Sequence, residues 1–256
     1  MTDSAGIVLV TGANGGIGRV ITSSLLDAGY GVVATDRSSA FHSSEIARRP
    51  NFIGYIPCDL VHLVSEKSYL CFFVEEFRSL IGSSFVSGIV HNAACQIIEE
   101  FADLTPQDWN TTFAVNLLAP VLISRELLPF MCRPNGSIVH IGSIHSSLTK
   151  PKFVAYATSK AALAGLTQAM AVELGAYVRV NAIEPAAIST PMLDAGFVND
   201  PQSRTHLENY HPTGSIGSPC DVASAVLFLL DSSNTFLNGC ILPLTGGIHS
   251  RLHDPT

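Results

Sequence analysis

Charge is what this 256-residue chain has least of: 14% of its residues are Asp, Glu, Lys or Arg, against 47% hydrophobic. A chain so lightly charged must hide much of its surface in a core, in subunit contacts, or both. Basic residues are scarcer than acidic ones, 14 against 21, for a net charge of −7. That balance argues against a nucleic-acid partner. The six cysteines (Cys58, Cys71, Cys95, Cys132, Cys220, Cys240) include no C-x-x-C pair. They read as reduced thiols of a cytoplasmic protein, not as a disulfide framework or a metal site. Also missing are a basic N-terminal segment followed by an apolar run, an uninterrupted apolar stretch long enough for a bilayer, and any repeat or low-complexity tract. Neither a signal peptide nor membrane association is expected.

What is present is alternation. Short apolar runs begin at Ile7, Gly31, Phe52, Val86, Gly136, Val178 and Gly239. Between them lie stretches of helical period: after Gly18, from Ser65 to about Leu80, from Thr105-Pro106 to about Met131 with a break near Pro120, around Tyr156, and from Asp221. Continuously apolar strands alternating with helices specify an α/β fold. The expectation is a Rossmann-like, doubly wound parallel sheet of about seven strands with helices on both faces, as one domain over residues 1–256. Residues 189–213, with Pro191, Gly196, Pro201 and Pro212, read as a long irregular connection, the kind that serves as a substrate lid.

The first strand runs into Gly12-Ala-Asn14-Gly15-Gly16-Ile17-Gly18 and then a helix. Strand, glycine turn and helix form a dinucleotide-binding unit: glycines let the backbone approach a pyrophosphate, and the helix N-terminus offers N–H groups and a positive dipole end. Asp36 closes the second strand, 18 residues beyond Gly18, where a carboxylate would bond the adenosine ribose hydroxyls. It would repel the 2′-phosphate of NADP, so NAD is favoured; Arg37 leaves room for NADP. Asp59, followed by Leu60, ends the third strand, either as a helix cap or as a contact to the adenine amino group. Asn116 reads as a buried polar residue holding its helix, and Ser143 as a turn hydroxyl at the end of the fifth strand.

Tyr156 and Lys160 are four residues apart in an alanine-rich helix, hence on one face. A neighbouring ammonium lowers the pKa of a phenol, so the pair can pass a proton near neutral pH, as ketone/alcohol chemistry requires. Small residues on several faces of that helix suggest one side on the sheet and another against a second subunit.

In order, these motifs resemble the single-domain short-chain dehydrogenases/reductases over almost the whole chain. Thr11-Gly12-Ala-Asn14-Gly15-Gly16-Ile17-Gly18 is similar to that family's cofactor turn, Asp59 to its adenine contact, Asn92-Ala93-Ala94 to its Asn-Ala-Gly strand end, and Asn116 to its helix asparagine. Ser143, Tyr156 and Lys160 resemble its catalytic set, and Pro185-Ala-Ala-Ile188-Ser-Thr190 its nicotinamide segment. Ala94 and Ala186 depart from the family's usual glycines. The resemblance implies an NAD(P)-dependent enzyme that interconverts a secondary alcohol and a ketone on a small molecule. Tyr156 would be acid/base, Lys160 would lower its pKa and bond the nicotinamide ribose, and Ser143 would orient the substrate oxygen. Asn116 would hold a relay water, and Ile188 and Thr190 the carboxamide. It further implies a homotetramer or homodimer; separately, the polar tail His249–Thr256 reads as a segment that reaches across an interface. The alternatives are a dinucleotide-binding sensor or scaffold without turnover and, more remotely, a nucleotide-sugar epimerase or dehydratase. No metal site is expected, since His206 and His211 stand without a cysteine or carboxylate cluster.

Overall fold

The computed structural model of the chain describes residues 6–131, 135–195, 197 and 201–252; Cys132, Gly196 and the tail beyond Leu252 lie outside them. Seven strands build one sheet: β1 (Ile7–Thr11), β2 (Gly31–Asp36), β3 (Phe52–Pro57), β4 (Val86–His91), β5 (Gly136–Ile141), β6 (Val178–Pro185) and β7 (Ile241–Leu244). All pairings are parallel, in the order β3-β2-β1-β4-β5-β6-β7. This is the doubly wound sheet that the alternation predicts. The order reverses between β1 and β4, and at such a switch point the carboxyl ends of the strands open a crevice for ligands.

The helices are α1 (Gly16–Asp27), α2 (Ser44–Ala47), α3 (Leu60–Ser65), α4 (Lys67–Ile81), α5 (Pro106–Phe113), α6 (Ala119–Leu127), α7 (Val154–Leu174), α8 (Pro191–Ala195), α9 (Pro201–Tyr210) and α10 (Pro219–Leu230). Because side chains alternate across a strand, each strand feeds two cores. Val8, Val10, Val32 and Val139 pack under Ile21 and Leu25 of α1 and Val226 and Leu229 of α10. On the other face Leu9, Val33, Ile89 and Ile138 pack under Phe73 and Phe77 of α4, Ile123 and Leu127 of α6 and Ala171 of α7.

Two stretches refine the expectation, the first being the helix interrupted near Pro120 as expected, and a third differs from it. The helix after Thr105 starts as its Thr-Pro sequence predicts, with a capping box between Thr105 and Asp108. It then opens into a π-turn over Ala114–Leu118, where the Ala119 N–H donates to the Ala114 carbonyl five residues back. Pro120 has no N–H to give the Asn116 carbonyl, so the 3.6-residue ladder cannot close there. As a unit, Pro106–Phe130 is long and apolar enough to pass for a membrane span, which the sequence reading did not anticipate. Its Ala119, Ile123 and Leu127 are nevertheless buried in the core. The helix expected at 65–80 is α4, but a further helix, α3, precedes it because Asp59 caps it: the Asp59 Oδ1 accepts from the N–H of Val61 at 2.8 Å and of His62 at 3.4 Å. Finally, the described residues of 189–213 include two helices, α8 and α9, where the sequence predicts an irregular connection. Pro191 and Pro201 each occupy the first position of a helix, where proline is favoured. Arg204 of α9 binds Asp194 of α8, Glu208 and the Ser189 hydroxyl.

Two phenylalanines on α4 test this layering: Phe77 is fully buried and Phe72 is 52% exposed. Phe77→Ala should cost about 3–5 kcal/mol in urea unfolding, and Phe72→Ala less than about 1 kcal/mol.

Candidate active site

The glycine turn is shaped by contact between backbones. Gly12 has φ +65°, and a Cβ there would lie 2.7 Å from the Ala93 Cα. A Cβ on Gly18 would lie 2.1 Å from the Gly12 carbonyl oxygen. Asn92 clamps this turn: its Nδ2 donates to the carbonyls of Thr11 (2.9 Å) and Gly12 (3.0 Å). In return the Thr11 hydroxyl accepts from the N–H groups of Asn92 and Ala93, each at 3.0 Å. The N-cap of α1 is Gly15, which provides no side-chain cap, and the first turn holds no acidic residue. The leading N–H groups of α1, from Gly16, Ile17 and Gly18, are thus left for an anionic ligand, so these residues fit a pyrophosphate.

Asp36 stands beside the turn, its Oδ2 accepting from the Asn14 N–H at 3.1 Å. The Asn14 side chain holds the loop after β2, donating to Ala40 O (3.0 Å) and accepting from His42 N (2.8 Å). Tyr55, unremarked in the sequence, donates to the Ser38 carbonyl at 2.5 Å. Burial and the Asp36 charge push its phenol up to about 12. Arg37 is exposed. Asp59 spends Oδ1 on capping α3, so at least part of its role is the structural one.

The Pro185–Thr190 segment lies across the same turn. A Cβ on Gly16 would meet Thr190 and Pro191 at 3.2 Å. Ala186 N donates to Leu244 O at 3.0 Å, Ser189 N to Gly217 O at 2.8 Å, and Ile188 is buried. Among the described residues only Lys152 (φ 73°) has positive φ without being glycine. Ala94 and Ala186 therefore sit unstrained where the family tends to have glycine.

Ser143, Tyr156 and Lys160 converge at the end of β5. Ser143 is buried, accepts from His145 N at 3.2 Å, and hydrogen-bonds Tyr156. Lys160, 2% exposed, donates from Nζ to the Ile141 carbonyl at 2.8 Å. Burial pulls its pKa down to about 8, with the Glu184 carboxylate resisting. The phenol differs from expectation. Burial holds the Tyr156 pKa up, and the Ser143 hydrogen bond opposes this only partly. Lys160 Nζ is 5.6 Å from the Tyr156 ring centre and spends a hydrogen bond on the backbone, so the protein alone does not deliver the expected lowering.

Asn116 is fully engaged through its side chain. Oδ1 accepts from Cys95 N (2.7 Å), while Nδ2 donates to Cys95 O (2.8 Å) and Ser159 Oγ (2.9 Å). It ties the strand end after β4 to α7, close to the structural role that its apolar neighbours suggested. Glu184, missed in the sequence, is a buried carboxylate facing Ser146 and Lys160, and burial raises its pKa. A charged residue inside an apolar strand was the available signal. His145 stacks on Phe153 with centroids 4.5 Å apart, and Tyr156 meets both edge-on. His211 is buried with Nδ1 on Leu207 O. Among the described residues no group of three His, Cys, Asp or Glu gathers to hold a metal.

Residues 12–249 match the family described as Enoyl-(Acyl carrier protein) reductase. The chain is 32% identical over 242 residues to L-xylulose reductase of Bos taurus, covering 93% of this chain and 94% of the relative. Its fold is similar to that of ligand-free aldohexose dehydrogenase of Thermoplasma acidophilum, with a TM-score of 0.86, 28% identity, and 98% and 96% of the two chains covered. It is also similar to 4-hydroxyisoleucine dehydrogenase complexed with NADH, with a TM-score of 0.81, 25% identity, and 96% and 100% covered.

Lys160 gives the fold a pH signature. Its folded pKa of about 8 lies below the unfolded value near 10.4, so between those values the unfolded chain binds more protons and stability rises with pH. Below pH 8 the burial cost is felt in full. Lys160→Met should therefore be the more stable protein in urea at pH 7, by roughly 2–4 kcal/mol, and the gap should shrink by pH 10.

Proposed function

The chain belongs to the short-chain dehydrogenases/reductases and is an NAD(P)-dependent oxidoreductase of alcohols and ketones; we propose that Tyr156, Lys160 and Ser143 carry out its proton chemistry and that NAD is its preferred cofactor. The observation that carries this reading is the meeting of those three residues at the end of β5, beside the crevice where the sheet order reverses.

The uncapped N-terminus of α1 would take the pyrophosphate through Gly12, Asn14, Gly15, Gly16, Ile17 and Gly18. Asp36 would accept from the adenosine ribose and, with its charge, disfavour a 2′-phosphate, while exposed Arg37 would tolerate one. Asp59 and Leu60 would border the adenine, Asn92, Ala93 and Ala94 the ribose side, and Pro185, Ile188 and Thr190 the carboxamide. When bound, the nicotinamide gives or takes the hydride. Ser143 would hold the substrate oxygen by hydrogen bonding, and Tyr156 would give or take its proton. Lys160, already oriented by Ile141, would bond the nicotinamide ribose and supply the positive charge that brings the phenol down. Asn116 would act through its place in the π-turn: its carbonyl cannot receive an N–H from Pro120, so it is suited to hold a relay water.

The substrate is read as a small, hydroxylated molecule. The names of the xylulose- and aldohexose-active relatives support this. So does a site wall that mixes the His145 and Phe153 rings with Thr149 and Lys150. The helices α8 and α9 would form the lid of a single domain, tied by Arg204 to Asp194 and Ser189. The protein would work in the cytoplasm as a homotetramer or homodimer, with exposed apolar residues of α7 and α10, such as Val172 and Phe228, covered by a second copy.

Two substitutions test the reading. Tyr156→Phe should lower turnover by about 10²–10⁴-fold while NADH binding by calorimetry stays within a few-fold of wild type. Unaltered turnover would exclude Tyr156 as acid/base. Asp36→Ala should shift the ratio of NADH to NADPH affinity toward NADPH by about tenfold or more; an unchanged ratio would remove Asp36 from the ribose site.

A further inference from the structure

Beneath the catalytic set lie two histidines that the proposed chemistry does not use. His91 and His140 sit opposite each other on β4 and β5, with ring centres 5.2 Å apart. Both are buried, at 3% and 0% exposure, on the sheet face covered by α6 and α7. His91 Nε2 bonds the Ser124 hydroxyl of α6 at 2.8 Å, and His140 Nδ1 bonds the Thr167 hydroxyl of α7 at 2.8 Å.

The second contact fixes a tautomer. A hydroxyl has one proton, and Thr167 donates its own to the Leu163 carbonyl at 2.8 Å. Thr167 can then only accept from His140, so His140 carries its proton on Nδ1. Nε2 is left as a bare acceptor, and it is buried with no hydrogen-bond partner. Buried polar atoms of folded proteins are almost always paired, with protein or with an ordered water.

The surroundings identify the donor. Thr167 and Lys160 are seven residues apart, two turns along one stripe of α7 that faces the sheet. Lys160 also bonds the carbonyl of Ile141, the residue after His140. An ammonium has three N–H groups, and that bond uses one. The charged and titratable groups around Lys160 are Tyr156 on its own helix, His140 on β5 and Glu184 on β6. Among the described residues, His140 Nε2 is the one atom of these groups that is buried without a hydrogen-bond partner.

We propose that His140 is a positioning residue for Lys160: its neutral, Nδ1-protonated ring accepts at Nε2, through one bridging water, a hydrogen bond from the Lys160 ammonium. The β4–β5 histidine pair then anchors the lysine from below, Ile141 fixes it at the strand end, and its remaining N–H faces the ribose. Accepting from the charged form favours that form, so His140 helps to keep an ammonium in a dry site. Neutrality suits the role, because burial and the Lys160 charge push the His140 pKa down to about 3. The inference rests on Lys160 being the ribose and phenol partner proposed above.

The test reads protonation without turnover. The chain has four lysines, Lys67, Lys150, Lys152 and Lys160, so lysine ¹³Cε NMR of the full protein resolves Lys160, assigned by Lys160→Met. His140→Leu should lower the Lys160 midpoint by about one pH unit. His140→Gln, which restores an acceptor oxygen, should bring most of it back. An unchanged midpoint in a folded His140→Leu protein overturns the proposal. Should that variant not fold, ¹⁵N-histidine NMR of the unaltered protein decides: a neutral His140 protonated on Nδ1 is expected, and one protonated on Nε2 overturns it. A parallel NADH titration of wild type separates the two readings, since absence of NADH binding would remove the ribose role while leaving the lysine midpoint to be judged by itself.

Discussion

A cation buried between a sheet and a helix is the constraint on which this architecture turns. Lys160 is almost wholly out of water, and its direct hydrogen bond is to the carbonyl of Ile141. Desolvating an ammonium is expensive, and the fold meets that cost with a backbone oxygen at the end of β5, the Glu184 carboxylate across the site, and a neutral histidine below. Ser143 follows Ile141 by two residues and Tyr156 precedes Lys160 by one helical turn. Fixing the lysine on the strand end therefore fixes the register of the whole proposed catalytic set.

The crevice beside it is built on the same economy of backbone contacts. Asn92 pulls the ends of β1 and β4 together at the switch point, and Gly12 and Gly18 allow the approach. Asn116 repeats the device one layer away, holding Cys95 by both its N–H and its carbonyl. Two asparagines thus stitch the β4 end to the glycine turn on one side and to α7 on the other.

Much of this was legible in the residues. Apolar runs broken by glycine turns specified about seven strands in a mostly parallel sheet, because burial on both faces leaves no alternation to read; they left the strand order open. Gly12, Gly18, Asp36, Ser143, Tyr156 and Lys160 stood out because each carries an unusual residue type at a fixed distance from a strand end. The misses share a cause, which is tertiary contact. Pro191 and Pro201 looked like breakers, yet they start helices held together by Arg204. The π-turn at Asn116 needed knowledge of which carbonyl Pro120 would leave unserved. Tyr55 and Glu184 act through partners remote in sequence. The expected lowering of the Tyr156 pKa failed because helical spacing gives proximity but not orientation, and the Lys160 ammonium points to Ile141.

With Lys160 turned to Ile141 and the phenol held high by burial, the proposed role of Tyr156 requires a bound cofactor to bring the phenol down. Ultraviolet difference titration of the six tyrosines, with Tyr156→Phe as the blank, reads the phenol directly. Tyr156 should titrate above free tyrosine in the protein alone and fall by roughly two pH units or more, toward neutrality, when NAD is bound. A Tyr156 pKa that stays high with NAD bound would contradict the proposed role.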